Sequence, residues 1–239
     1  MLKLFLTLVA VLLLPNLITS QESLPSEYYE WFDSKIGVAN TPLYNGISYT
    51  DQRPSVGEKN KYFLTSGFDL GSVTYFGQPY FGVSLNYDVF NDQLLFQLKD
   101  VFEGSILKPV QNEVSSFTLG KNHFINIRNF DPTKPAAFYE LLAKNEQVAI
   151  LKKHRKTEKK KLDREVTYYQ YLERDPFYFV YTKSTLTRVE EAKDLYEAFA
   201  EKKDALKAFF KERRSLKKND PDAFYIQLGN FLNTLNEMR

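Results

Sequence analysis

Two clusters of side chains and a pair of histidines could carry chemistry by type and spacing. Asp88, Asn91 and Asp92 crowd into the segment Tyr87-Asp88-Val89-Phe90-Asn91-Asp92. Paired carboxylates can run acid–base hydrolysis, and oxygen ligands in a turn can hold calcium. The same residue types are what a tight turn demands for its backbone hydrogen bonds. The second cluster is basic: Lys152, Lys153, Arg155, Lys156, Lys159, Lys160 and Lys161 fill seven of the ten positions from 152 to 161. Clustered positive charge binds phosphate polymers or acidic lipid head groups through counterion release. The plainer reading is a solvated face, or a strand edge whose lysines guard against aggregation. The histidines, His123 and His154, have no ligand or nucleophile at motif spacing, so neither a triad nor a histidine metal site is indicated. A glycine-rich phosphate loop, a dinucleotide fingerprint and a nucleophile elbow are all missing from the sequence. No cofactor and no catalytic residue is therefore expected.

The elements that must position these residues change character along the chain. Residues 4–14 are an uncharged apolar run behind Lys3, followed by Pro15 and by Ser20 at the end. This is the pattern of a secretory signal, too short for a bilayer span, and cleavage is expected after Ser20. There is no cysteine, hence neither disulfides nor a lipid-acceptor thiol. A short helix begun by Ser26 carries Tyr28, Tyr29, Trp31 and Phe32.

From Thr41 the apolar residues alternate. Phe63, Val73, Tyr75, Phe81, Val83, Leu85 and Tyr87 are separated by small or polar positions, which is the strand signal. Phe76-Gly77-Gln78-Pro79 and Gly120-Lys121-Asn122 read as hairpin turns. Turns about every ten residues predict an antiparallel meander in which sequential strands pair. Residues 138–143 and 148–151 read as one further hairpin, with a single helix as the alternative. Residues 168–172 and 177–182 read as the last, turning at Arg174-Asp175-Pro176.

The period then becomes helical. Thr187 with Glu190 has capping-box spacing ahead of Val189, Ala192, Leu195, Tyr196 and Phe199. Leu206, Phe209 and Phe210 mark a second helix. Asp220-Pro221 starts a third, with the stripe Phe224, Leu228, Phe231, Leu232 and Leu235. The expected class is α+β, mainly β: an antiparallel meander, as a curved sheet, barrel or sandwich, followed by a C-terminal helical segment. The expected organisation is a signal peptide over 1–20, a β-meander domain over 21–185, and helices over 186–239 packed on the same unit.

Charge is unevenly placed. Residues 21–142 hold 9 basic against 14 acidic side chains, whereas residues 143–239 hold 22 against 16. Tyr44, Tyr49, Tyr62, Tyr75, Tyr80 and Tyr87 recur along the meander as core fillers or as a binding face.

Several motifs come in a fixed order: Leu43-Tyr44-Asn45-Gly46, then Gly71-Ser72-Val73-Thr74-Tyr75-Phe76-Gly77, then Leu85-Asn86-Tyr87-Asp88 with Asp92-Gln93-Leu94. Val114-Ser115-Ser116-Phe117-Thr118-Leu119-Gly120 follows. This series resembles a group of uncharacterised exported proteins of Bacteroidota. The resemblance implies export and a single fold unit, and supplies no catalytic residues. The expected function is that of an exported, non-enzymatic protein, periplasmic or extracellular, binding an envelope protein or an anionic surface. No nucleic acid and no transmembrane span in the mature chain are expected. One alternative is a periplasmic carrier of an apolar or sugar-like ligand. Another is a hydrolase using Asp88 and Asp92. The ligand and the oligomeric state are left open.

Overall fold

Strands β2 (Asp69–Tyr75) and β3 (Gln78–Asp88) are joined by Phe76 and Gly77, both at positive φ, 50° and 76°. Two successive left-handed residues match the twist of the strands they connect, and Gly77 takes that conformation without a Cβ penalty. The computed structural model describes residues 25–37, 40–53, 55, 57–98, 105–163, 166–182 and 185–237. The signal segment expected over residues 1–20 lies outside them.

The remaining strands are β1 (Gly46–Ser48), β4 (Gln93–Leu98), β5 (Ser105–Pro109), β6 (Val114–Leu119), β7 (Asn122–Asn126), β8 (Phe138–Lys144), β9 (Val148–Asp163), β10 (Val166–Thr182) and β11 (Thr185–Arg188). The helices are α1 (Ser26–Ile36), α2 (Lys203–Glu212), α3 (Arg214–Asn219) and α4 (Pro221–Glu237). All eleven strands form one antiparallel sheet in the order β1-β5-β4-β3-β2-β6-β7-β8-β9-β10-β11. The sheet is open, with β1 and β11 at its edges. It is the mainly-β, helix-capped α+β architecture that the alternation announced.

Three local expectations are corrected. Sequential pairing fails at two seams: β6 pairs with β2, and β1 lies outside β5. Gly71 permits the approach, because a Cβ there would sit 2.1 Å from the Thr118 carbonyl oxygen. Residues 168–182 are not a hairpin but belong to the single strand β10, which pairs with β9 along its length and shifts register between Arg174 and Phe177. Pro176, with no N–H to give the ladder, falls inside that bulge rather than in a turn. Residues 189–199 are not an α-helix. Thr187 is held in β11 opposite Val180, so the capping box forms instead between Glu191 and Asp194 on the short 3-10 turn Ala192–Leu195.

The inner face of the sheet is filled by rings. Phe117 stacks on Phe124 at 4.7 Å, and Tyr87 and Phe138 meet edge to face at 6.0 Å. Asp220 accepts from the Ala223 N–H and starts α4. The stripe Phe224, Leu228, Leu232 and Leu235 is buried with Val148, Ile150, Tyr178 and Val180 of β9 and β10, so the helices cover this end of the sheet. At the other end α1 touches β3 through Tyr29 and Phe81, leaving Tyr28, Trp31 and Phe32 exposed. No helix among the described residues is long and apolar enough to cross a membrane, which does not bear on crossing by strands.

Candidate functional site

The segment from Tyr49 to Phe63 crosses the molecule and ties its two ends together. Tyr62 bridges to Asp88 at the end of β3, and Phe63 donates to the Tyr87 carbonyl. On its other side Ser55 bridges to Tyr169, and Tyr171 donates to the Lys59 carbonyl. The β9–β10 ribbon is thereby drawn over the end of β3. Between this segment and the β1, β4 and β5 edge lies a polar cleft of about 540 Å³, lined by Tyr49, Gln52, Arg53, Asn91, Gln93 and Lys108 among others.

Lys61 forms the base of the cleft. Its side chain is 3% exposed, and its ammonium donates to the Tyr49 hydroxyl at 2.7 Å and to Asp51 at 2.8 Å. Asp88, fully buried, lies 3.3 Å away. Burial alone would make Lys61 easier to deprotonate. The hydrogen bonds to Asp51 and Tyr49, with the Asp88 charge, override it and hold the ammonium well above the usual lysine range. Burial also pushes the Tyr49 phenol up, against the pull of Lys61.

The acidic cluster read from the sequence is therefore brought together, but as part of the framework. Asp88 accepts from the Asn91 backbone N–H at 2.9 Å and from its side-chain amide at 2.7 Å, which is turn chemistry. Asp92 accepts from the Tyr87 hydroxyl at 2.6 Å and from the Phe138 N–H, and it pairs with Lys153 at 2.6 Å. Both oxygens of each carboxylate are engaged, and Asp88 could be freed for hydrolysis only by breaking its buried ion pair with Lys61. Among the described residues no three of His, Cys, Asp and Glu converge as a metal-ligand set.

The basic run divides in two. Lys152 binds Asp222 of α4 at 2.7 Å, where Tyr178 also donates to that carboxylate. Lys153 reaches the Phe138 carbonyl and Asp92, and its burial lowers its pKa despite the Asp92 charge. Arg155 lies 3.6 Å over the Phe177 ring, and Lys156 donates to the carbonyls of Asn60 and Tyr62. These four cations hold the sheet, α4 and the crossing segment together. Lys159, Lys160 and Lys161 have no ion-pair partner among the described residues, and they sit beside Leu162, which is 73% exposed. The edge-guard reading fails for Lys152, because β9 is paired on both sides from Ala149 to Lys152. From Lys153 onward β10 is its one ladder partner among the described strands, so the rest of the run lies on the free side of the ribbon.

His154 is engaged as well. It bonds Glu140 at 2.7 Å and meets the Phe63 ring edge to face. Burial of Glu140 opposes ionisation, but His154, Asn122 and Lys152 outweigh it and lower the carboxyl below its ordinary 4.5. A carboxyl with a depressed folded pKa stabilises the fold above its ordinary pKa, and that contribution is lost as the pH falls through the folded value. The difference in urea stability between wild type and Glu140→Gln should be full at pH 7 and shrink below pH 4.5. A difference that is flat across that range would remove Glu140 from the acid response. His123, half-buried at the β6–β7 turn, has its pKa lowered by burial.

Sequence reasoning missed Lys61, Asp51, Arg53 and Lys108, which are scattered in loops and on the strand β5 with no motif spacing. The one available signal was the polar, turn-rich stretch 49–62. Comparison with known proteins gives no match to any family model, to any curated protein or to any solved structure.

Proposed function

We propose that this chain is an exported, non-enzymatic protein that docks on an anionic surface of the cell envelope through the outer part of its β9–β10 ribbon. The observation that carries this reading is the split of the basic run. Lys152, Lys153 and Lys156 are ion-paired within the fold and Arg155 lies over Phe177, while Lys159, Lys160 and Lys161 have no ion-pair partner among the described residues. Strand alternation puts Lys159 and Lys161 on one face, opposite Gln170 and Tyr168, and Lys160 and Leu162 on the other, opposite Tyr169 and Thr167. Cations beside an exposed leucine and tyrosines are suited to a surface that offers negative charge above an apolar layer. The signal pattern over residues 1–20 supports an extracytoplasmic address.

Each lysine near an anionic membrane surface contributes about 1 kcal/mol. The triple variant Lys159→Glu, Lys160→Glu, Lys161→Glu should therefore lose at least about a hundredfold in partition onto vesicles rich in anionic lipid. Wild-type binding should also fall with added salt. Equal sedimentation of wild type with neutral and anionic vesicles would end this reading.

A further inference from the structure

We infer that the polar cleft beside Lys108 is a binding site for a small hydroxylated anion of sugar size, a sugar acid or a sugar phosphate. Three cations line the cleft, and two of them are neutralised within the protein. Lys61 is held by Asp51 and Asp88, and Arg53 by Glu158 at 3.0 Å. Lys108 lines the cleft from β5 with no ion-pair partner among the described residues, so of the three cations its ammonium is the one left to meet a ligand. The volume of about 540 Å³ lies within the range of small-molecule sites.

The other lining groups have unused hydrogen-bonding capacity. Tyr49 accepts from Lys61, which leaves its own O–H to donate. Asn91 uses its N–H₂ on Asp88, which leaves its carbonyl oxygen to accept. Gln52 and Gln93 add amides that both donate and accept, the pairing that neighbouring hydroxyls on a sugar ring require. An apolar ligand would leave all of these groups desolvated and unpaired. The buried Lys61 network fixes the floor, so little ordering is needed on binding.

The test is an NMR titration of the purified protein with glucuronate, glucose 6-phosphate and glucose. At least one of the two anions should bind at least about tenfold more tightly than glucose, since one good charge contact contributes on the order of 1.4 kcal/mol or more. The carboxylate and phosphate arms show which source of charge is preferred. Lys108→Gln should bring both anions down to the level of glucose, and Lys108→Arg should keep the preference. The Lys159–Lys161 charge reversal should leave the titration unchanged, which separates this site from surface docking. Glucose binding as tightly as both anions, no response to any of the three, or a preference that survives Lys108→Gln would each overturn the assignment.

Discussion

Replacing Lys61 with Met should cost about 3–5 kcal/mol of unfolding free energy in urea at pH 7. Met fills a similar volume, so the loss is mainly one of charge. The Lys61 side chain is 3% exposed, and its ammonium lies between Asp51 and the fully buried Asp88. Without it, Asp88 would be a buried carboxylate facing no cation, bonded only to Asn91. Removing one partner of a buried pair leaves an uncompensated charge, whereas removing both is far milder. The double variant Lys61→Met, Asp88→Asn should therefore recover part of the loss, with a coupling energy above about 1 kcal/mol. Alkaline pH tests the same group with a known sign. A lysine raised in the folded state gives stability that is complete below its ordinary value of 10.5 and lost as pH climbs through the folded value. The wild type should weaken above pH 10.5 relative to Lys61→Met. A single-variant loss under about 1 kcal/mol, or no coupling in the cycle, would mean that water reaches Asp88 and that the floor of the cleft is not rigid.

Gly71→Ala should be nearly as damaging, for a reason that involves no charge. The added Cβ would lie 2.1 Å from the Thr118 carbonyl oxygen, a backbone atom that cannot swing aside. β2 and β6 would have to part where the two meanders, β2–β5 and β6–β11, join. The seam there is also held by the Ser72 and Thr118 hydroxyls at 2.8 Å. Overpacking against the backbone with loss of ladder hydrogen bonds should cost at least about 3 kcal/mol. Gly77→Ala is the control. Nothing lies within 4 Å of its Cβ position, and only its φ of 76° is strained, so it should cost about 1–2 kcal/mol. Equal urea midpoints for the two variants would show that the seam tolerates separation.

The features that proved legible in the sequence are local ones. Alternation of Val73, Tyr75, Val83, Leu85 and Tyr87 marks strands because side chains on a pleat face opposite ways at every step. Phe76-Gly77 and Asp220-Pro221 announce a turn and a helix start because backbone conformation there depends on the residues themselves. The turn role of Asp88 and Asn91 was open to the same reasoning. The reading failed where a residue's partner is distant. Arg174-Asp175-Pro176 has the composition of a turn, yet the long ladder with β9 carries the chain straight through it as a bulge. Thr187 has cap spacing, yet pairing with Val180 claims it for a strand.

The sequence by itself thus determined a mainly antiparallel sheet with helices at its C-terminal end, and the residue types available to a site. Only the tertiary structure decided which charges meet. It seated Lys61 between Asp51 and Asp88, and it divided one uniform basic run into cations tied to the rest of the fold and three with no ion-pair partner among the described residues. The reason is that burial and pairing are properties of where segments cross. The crossing of residues 49–63 over the ends of β3 and β10 is set by contacts far apart in the chain, to which spacing along it is blind.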